Sequence, residues 1–211
     1  MVQDPVLWSF RRCPYAMRAR LAVLSAGVRV ELREILLRDK PDAFVQTSPS
    51  ATVPCLAAQN RIIDESLDIM IWALKQNDPD RLLEMPDDAW GLIEENDGPF
   101  KLALDHTKYA MRYPDLDRDA ERHKAETFLF ALNQRLAGQS HLFANRPTLA
   151  DYAIFPFVRQ FANIDRNWFD AQPWPNLAAW LSRFTESSAF DQIMIKHPPW
   201  SSNAPPTWFG A

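Results

Sequence analysis

The first third of the chain alternates between short apolar runs and stretches with helical spacing. Four runs have the length or the apolar–polar alternation of β-strands, and they lie at residues 6–10, 28–35, 53–58 and 61–65. Three stretches favour helices, and they lie at residues 14–26, 41–47 and 66–76. Gly27 ends the first helix, and Gln59-Asn60 forms a turn between the last two strands. The predicted order is therefore β-α-β-α-β-β-α.

The remainder of the chain lacks strand patterns of comparable strength. The segment NDPDRLLEMPDD contains two prolines and many acidic residues, which indicates a linker. Helical spacing then predicts helices at 88–111, 117–137, 148–163, 175–187 and 189–196. The proline-rich tail HPPWSSNAPPTWFGA is expected to be extended and, because of its two tryptophans, to pack on another part of the protein. We therefore expect a mixed α/β domain over residues 1–77, a linker over 78–88 and an all-helical domain with an extended tail over 89–211.

Composition restricts the class of protein. A length of 211 residues allows a sizeable core, and a net charge of -4 gives no basic field for nucleic acid. No apolar run approaches the roughly 18–20 residues that span a bilayer, and the segment MVQDPVLWSF does not resemble a signal peptide. Two cysteines cannot form a disulfide framework. We expect a cytoplasmic protein with neither a nucleic-acid nor a membrane partner.

Metal and phosphate sites find no support in the sequence. The four histidines are not spaced as metal ligands, and they lie at positions 106, 123, 141 and 197. The five glycines form no phosphate-binding loop. We therefore expect no bound metal, and neither kinase nor dinucleotide chemistry.

Cys13 is the residue that most clearly suggests chemistry. Proline is favoured at the first position of a helix, so Pro14 makes Cys13 the N-cap. The sulfur then faces free backbone N–H groups and the positive end of the helix dipole. Arg11, Arg12 and Arg18 add positive charge nearby. These effects lower the pKa of a thiol and favour the thiolate, which is the nucleophile. A buried, inert cysteine is the alternative interpretation.

A dithiol mechanism is disfavoured. Ala16 stands where a Cys-Pro-x-Cys redox motif would have its second cysteine. Cys55, the only other cysteine, lies in a predicted strand, where burial is expected. Cys13 would therefore act without a partner thiol in the same chain.

Three motifs, CPYAMRARL, TVPCL and DESLDIM, resemble segments of the glutathione transferase superfamily, in particular its cysteine-type, omega-like members. Their order and spacing match the family, and the resemblance covers nearly the whole chain. It implies an α+β thioredoxin-like N-terminal domain followed by an all-α domain. It also implies glutathione as a cosubstrate and a homodimeric assembly.

The resemblance implies a catalytic role for Cys13 and glutathione-binding roles for Lys40, Val53, Pro54, Glu65 and Ser66. Pro54 is expected in the cis form, with the backbone of Val53 presented to a peptide-like ligand. Ser66 is expected at the start of the third helix, where it can receive the γ-glutamyl carboxylate, while Glu65 pairs with the adjacent ammonium. For Lys40, a solvated surface lysine is the alternative.

The sequence assigns residues of the second substrate site and of the helical domain less specifically than it assigns the glutathione-binding residues. The second substrate is expected between the two domains, with Phe10, Tyr109 and Trp200 as candidate lining residues, although aromatic residues at helical spacing are more often core. Thr148 and Asp151 have the spacing of a capping box and resemble the family's folding box, which implies a role in stability.

Three functions are compatible with these residues. In thiol transfer, Cys13 attacks a glutathione mixed disulfide or conjugate; dehydroascorbate reduction would use the same steps. Conjugation of glutathione to hydrophobic electrophiles would instead require Ser9 or Tyr15 to support the glutathione thiolate. A non-catalytic interaction protein would have no need of an activated cysteine. We expect a glutathione-dependent thiol transferase that acts on a small thiol, disulfide or electrophile.

Overall fold

The structure, a computed structural model, describes residues 4–210. These residues form two compact units. The sheet unit consists of the residues up to Leu83 together with those from Ser187 onward, and the helical unit is Glu84–Glu186. The division differs from the sequence-based one because the tail belongs to the sheet unit rather than to the helical domain. Within residues 4–210, no helix is both long and apolar enough to cross a bilayer.

The sheet unit has the predicted order β-α-β-α-β-β-α, followed by an additional strand from the tail. Its strands are β1 (Val6–Ser9), β2 (Val30–Glu34), β3 (Cys55–Ala58), β4 (Arg61–Ile63) and β5 (Trp208–Phe209). The helices between the first four strands and after them are α1 (Pro14–Ser25), α2 (Asp42–Thr47) and α3 (Ser66–Gln76). The sequence pattern therefore located every element of the first third of the chain.

The five strands form one mixed sheet in the order β4-β3-β1-β2-β5. Strands β1 and β2 are parallel, with Leu7 opposite Leu32, and the other neighbouring pairs are antiparallel. Every residue of the central strand β1 is buried, whereas burial alternates along β2 as the alternating sequence predicts. Helices α1 and α3 pack against each other. This arrangement places the ends of β1 and β2 next to the start of α1.

The helical unit contains α4 (Asp88–Glu95), α5 (Lys101–Lys108), α6 (Arg118–Arg135), α7 (Leu149–Ala162), α8 (Arg166–Asp170) and α9 (Pro175–Thr185). The predicted helix over 88–111 is interrupted by a π-helical turn at Asn96–Phe100. Pro99 lies within this turn and cannot donate a backbone hydrogen bond, so the regular i to i−4 pattern cannot continue through it. Helix α8 was not predicted because five residues are too short to show periodicity.

The Thr148–Asp151 pair lies at the start of α7, as the capping-box spacing predicts. The Asp151 carboxylate accepts hydrogen bonds from the Thr148 backbone N–H at 2.9 Å and from its hydroxyl at 2.8 Å. The same carboxylate accepts from Trp180 Nε1 and from the backbone N–H of Leu142, each at 2.9 Å. Asp151 is fully buried, so these bonds join α7 to α9 and to the preceding loop.

The tail returns to the sheet after α10 (Ser188–Ile193). The Trp200 backbone N–H donates to the carbonyl of Glu34 at 2.7 Å, and Leu32 N–H donates to the carbonyl of Thr207 at 2.8 Å. The Trp200 ring meets Trp8 edge-on, with 5.0 Å between centroids. The tail therefore packs on the sheet, as its tryptophans indicate. The pairing of β5 with β2 was not predicted, because a two-residue strand has no readable alternation.

Gly210→Ala is expected to destabilise the protein by about 1–3 kcal/mol, because the new Cβ would overlap its neighbours and the backbone would be strained. Gly210 has φ +95°, and a Cβ there would lie 2.1 Å from the carbonyl oxygen of Val28. Gly138→Ala is a matched control, since Gly138 also has a positive φ, of +79°, but no atom lies within 4 Å of the added Cβ. Urea unfolding followed by tryptophan fluorescence measures both. Equal losses of stability in the two variants would contradict the proposed close contact.

Candidate active site

Cys13 occupies the position predicted for it, at the N-cap of α1 with Pro14 as the first helical residue. Its backbone is extended, with φ −77° and ψ 124°. The Cys13 N–H donates to the carbonyl of Phe10, and the Cys13 carbonyl accepts from Met17 N–H, each at 2.9 Å. These bonds fix a tight turn between β1 and α1. The turn leaves the Cys13 side chain partly exposed at the end of the helix.

The thiol of Cys13 lies against the turn that precedes β3. The Val53–Pro54 peptide bond is cis, as predicted. Cys13 Sγ lies 3.6 Å from the carbonyl oxygen of Val53, the acceptor of the thiol proton. Because a carbonyl oxygen accepts from a thiol but not from a thiolate, ionisation of Cys13 would release this contact. The fold thus joins two predicted site segments that lie 40 residues apart.

Arg18 connects the first helix to the start of the third. Its side chain is buried, and Nε donates to the hydroxyl oxygen of Ser66 at 3.0 Å. Ser66 is the first residue of α3, and Glu65 is its N-cap. The Arg18 guanidinium also lies over the ring of Tyr15, 5.1 Å from its centroid. Arg18 therefore holds the beginning of α3 next to α1. This structural role was not part of the sequence analysis, which considered only the positive charge of Arg18.

Arg20 is a further buried cation near Cys13 that sequence reasoning did not identify. It is 1% exposed, pairs with the carboxylate of Glu34, and donates to Ser9 Oγ at 2.8 Å and to the Ile193 carbonyl at 3.0 Å. Burial lowers the pKa of the Arg20 guanidinium, while the charge of Glu34 and, more weakly, that of the Cys13 thiolate oppose this shift. Electrostatic coupling is mutual, so the Arg20 charge favours the thiolate form of Cys13.

Asp64 organises the loop that leads to the cis proline, and it too was absent from the predicted site. Its carboxylate accepts from the Ser48 hydroxyl at 2.8 Å and from the Ser50 N–H at 2.9 Å. Burial tends to raise the pKa of Asp64, but the hydrogen bonds from the two serines outweigh it, and the pKa lies below its ordinary value. Asp64 immediately precedes Glu65, so one segment fixes both the loop and the start of α3.

Lys40 is attached to the same loop. Its ammonium donates to the carbonyl of Ala51 at 2.8 Å, and its side chain is exposed. Ala51 adopts a left-handed conformation with φ 51°, which is uncommon for alanine. The structure therefore places Lys40 beside the loop preceding the cis proline, within the part of the sheet unit that contains the other predicted glutathione-binding residues.

Cys55 has the properties of a structural cysteine. It is fully buried, and burial raises the pKa of its thiol to about 12, with the neighbouring Asp64 charge adding to the effect. At neutral pH it is therefore a thiol and a poor nucleophile. This contrast with the partly exposed Cys13 agrees with the expectation that the two cysteines do not form a redox pair.

Two of the three candidate lining residues for a second substrate lie in the sheet unit. Phe10 and Trp200 pack, together with Cys13, against a buried apolar cluster that includes Trp8. Tyr109 lies in the helical unit, at the end of α5, with the charged ends of its neighbours Lys108 and Arg112 within 5 Å of its ring centroid. Among residues 4–210, no group of three or more acidic, histidine or cysteine side chains is placed to hold a metal ion.

Sequence comparison identifies two family domains in the chain. Residues 7–81 match the family described as glutathione S-transferase, N-terminal domain, and residues 118–183 match glutathione S-transferase, C-terminal domain. Glutathione S-transferase omega-1 of Sus scrofa is 26% identical in an alignment over 202 residues that covers 90% of this chain and 80% of the relative. A probable glutathione transferase of Aplysia californica is 39% identical over 57 residues, which are 27% of this chain and 62% of the relative.

Solved structures share the fold. The glutathione S-transferase unclassified 2 from Bombyx mori superposes with a TM-score of 0.76 at 17% identity, over 91% of this chain and 93% of that one. A glutathione transferase family member from Pseudomonas fluorescens pf-5, with two glutathione bound, gives a TM-score of 0.76 at 17% identity, over 90% and 92% of the two chains. Both family domains occur in their expected order on a shared fold, and the chain belongs to the glutathione transferase superfamily.

Proposed function

We propose that the protein is a glutathione-dependent thiol transferase in which Cys13 is the nucleophile. The observation that supports this most directly is the partly exposed cysteine at the N-terminus of α1, in contact with the carbonyl that precedes a cis proline. The omega-1 relatives, which match most of the chain, support the same assignment. Ser9, a candidate donor in the conjugation mechanism, is fully buried and accepts a hydrogen bond from Arg20.

The proposed reaction proceeds through two thiol–disulfide exchanges. The Cys13 thiolate attacks the glutathione sulfur of a mixed disulfide GS–SR, so that a Cys13–glutathione disulfide forms and RS⁻ leaves and takes up a proton. A second glutathione, as its thiolate, attacks this intermediate, releases glutathione disulfide and restores the Cys13 thiolate. The net change is GS–SR plus GSH to GSSG plus RSH. A second glutathione is required because Ala16 offers no resolving thiol.

Glutathionyl conjugates with a stabilised carbon leaving group fit the same first step. Attack of Cys13 on the glutathione sulfur then breaks a carbon–sulfur bond, and the carbon takes up a proton. In dehydroascorbate reduction, two glutathione molecules supply the two electrons and two protons and become glutathione disulfide. The intermediate with glutathione on Cys13 and its resolution are the same in each case.

The glutathione moiety is proposed to bind along the segment from Val53 to Ser66, with Lys40 nearby. The γ-glutamyl carboxylate would meet the free backbone N–H groups at the start of α3. The Ser66 oxygen accepts from Arg18, which leaves its hydroxyl proton available for the ligand carboxylate. Glu65 is exposed at the N-cap, where it can pair with the γ-glutamyl ammonium.

Glu65→Gln is expected to raise the KM for glutathione about tenfold to a hundredfold with little change in kcat, because a charge-assisted hydrogen bond to the bound substrate is lost. Steady-state kinetics with hydroxyethyl disulfide at varied glutathione measures the effect. Glu65 is preferable to Ser66, since Ser66→Ala would also remove the acceptor of the buried Arg18. Asp68→Asn, an exposed acid one turn along α3, is the matched control. An unchanged KM for glutathione in Glu65→Gln would exclude this binding role.

A further inference from the structure

A pocket of about 300 Å³ opens in the sheet unit beside the segment that contains Cys13. One wall is the turn between β1 and α1, which ends at Cys13. The tail segment 196–199 and the end of β2 also line it. Its charged lining residues are Arg11, Arg12, Lys196 and Glu34. None of the roles proposed above for glutathione binding involves this pocket.

Hydrogen bonds fix the walls of the pocket. The Arg11 backbone N–H donates to Glu34 Oε1 at 2.7 Å, which ties the turn to the end of β2. The Arg11 guanidinium donates to the Met194 carbonyl at 3.4 Å, two residues before the tail segment. The Trp200 N–H donates to the Glu34 carbonyl at 2.7 Å, immediately after it. The tail segment is therefore attached at both ends, and the pocket is a built feature of the sheet unit.

The charge of the pocket is positive. Glu34 is 8% exposed, and its carboxylate is compensated by the buried guanidinium of Arg20 and by the Arg11 N–H. Arg12 and Lys196 are exposed and form no ion pair among residues 4–210. Two unpaired cations therefore face a partly enclosed space, where their attraction for an anion is stronger than in open solvent.

His197 also lines the pocket but does not add a charge at neutral pH. Burial lowers its pKa, and the positive charge of Arg20 lowers it further, although Glu34 opposes both. The neutral imidazole can still donate or accept a hydrogen bond. Together with the Phe10 and Leu36 side chains, it makes the pocket suitable for a short organic chain that ends in an anionic group.

We propose that this pocket binds a carboxylate or sulfonate on the non-glutathione part of the substrate. The inference rests on the proposed function, because it assigns the leaving thiol RS⁻ to the pocket. The observation that supports this assignment is that Arg12, which lines the pocket, directly precedes Cys13 in the chain. On this assignment, an anionic group on the leaving thiol binds to Arg12 and Lys196. The preferred substrates are therefore glutathione mixed disulfides and conjugates of small acidic molecules.

Kinetic selectivity tests the proposal. We expect kcat/KM for the mixed disulfide of glutathione with 3-mercaptopropionate to exceed that for the 2-mercaptoethanol disulfide about tenfold. The selectivity ratio is kcat/KM for the acidic disulfide divided by kcat/KM for the neutral one. In Arg12→Gln and in Lys196→Gln this selectivity ratio should fall about threefold to tenfold. Any general effect of the substitutions on Cys13 cancels in the ratio. Arg61→Gln and Lys75→Gln remove exposed cations outside the pocket and should leave the ratio unchanged. A wild-type ratio near one, or one insensitive to both pocket substitutions, would overturn the inference.

Binding of unreactive analogues separates this inference from the proposed function. S-(2-carboxyethyl)glutathione and S-(2-hydroxyethyl)glutathione are thioethers, which cannot exchange with Cys13. Isothermal titration of the wild-type protein should give a lower Kd for the carboxylate analogue, and the difference should shrink in Lys196→Gln and at high salt. Equal affinities would overturn the pocket assignment while leaving thiol transfer intact. Binding of neither analogue would overturn the proposed function, and the inference with it.

Discussion

Cys13→Ser is expected to abolish thiol transfer, with kcat/KM for hydroxyethyl disulfide falling by at least about a thousandfold. A serine oxygen cannot form a disulfide with glutathione, so neither exchange step can occur. Conjugation of glutathione to chlorodinitrobenzene needs only a bound glutathione thiolate, and it should survive in this variant if the protein catalyses it. Full activity of Cys13→Ser on hydroxyethyl disulfide would contradict the proposed mechanism.

Cys55→Ala provides the matched control for this experiment. Because Cys55 is buried and its pKa is raised to about 12, iodoacetamide near neutral pH should alkylate Cys13 alone. Mass spectrometry should therefore find one modified thiol in the wild-type protein and in Cys55→Ala, and none in Cys13→Ser. Cys55→Ala should retain the thiol transferase activity. In the wild-type protein, this activity should fall in proportion to the fraction of Cys13 that is alkylated.

Arg20→Leu is expected to lower the free energy of unfolding by about 3–5 kcal/mol, because the Glu34 carboxylate would remain buried without its cation. The pair is almost completely buried, with side-chain exposures of 1% and 9%. Urea unfolding, followed by the fluorescence of the tryptophans in the sheet unit, measures the loss. A cost below about 1 kcal/mol would place this pair in the class of surface ion pairs.

The double variant Arg20→Leu/Glu34→Leu distinguishes loss of the pair from loss of packing. Removing both charges should recover part of the stability, because no unpaired buried charge remains. Recovery should be incomplete, since Ser9, the Ile193 carbonyl and the Arg11 N–H also lose partners. Arg29→Gln serves as an exposed control: Arg29 pairs with Asp4 at 2.9 Å, both side chains are more than 40% exposed, and the expected cost is under about 1 kcal/mol.

The sequence predicted those parts of the candidate site that depend on neighbouring residues in the chain. Cys13 could be recognised as an N-cap because Pro14 follows it directly. The alternation in β2 predicted a half-buried strand and the apolar run in β1 predicted a strand, and the structure contains both. The cis form of Pro54 came from the family resemblance, since a prolyl isomer has no reliable local signal.

Residues that act through long-range contacts could not be predicted in the same way. Arg20 appears in the sequence as one arginine among several in α1, and only the folded sheet brings it to Ser9 and Glu34. Its position on the same helix face as Met17 and Leu24 is the signal from which its burial could have been predicted. Asp64 gave no signal, because the serines that it binds lie in an irregular loop.

The attachment of the tail to β2 has a consequence for biosynthesis. The helical unit is continuous, and the strand that completes the sheet unit follows it in the chain, so β5 is synthesised only after the whole helical unit. Until then the outer edge of β2 has unpaired backbone groups, and such an edge is a template for aggregation. A fragment that stops at residue 83 would keep that open edge permanently. To express the thioredoxin-like part alone, the sequence that contains β5 should therefore be fused to it.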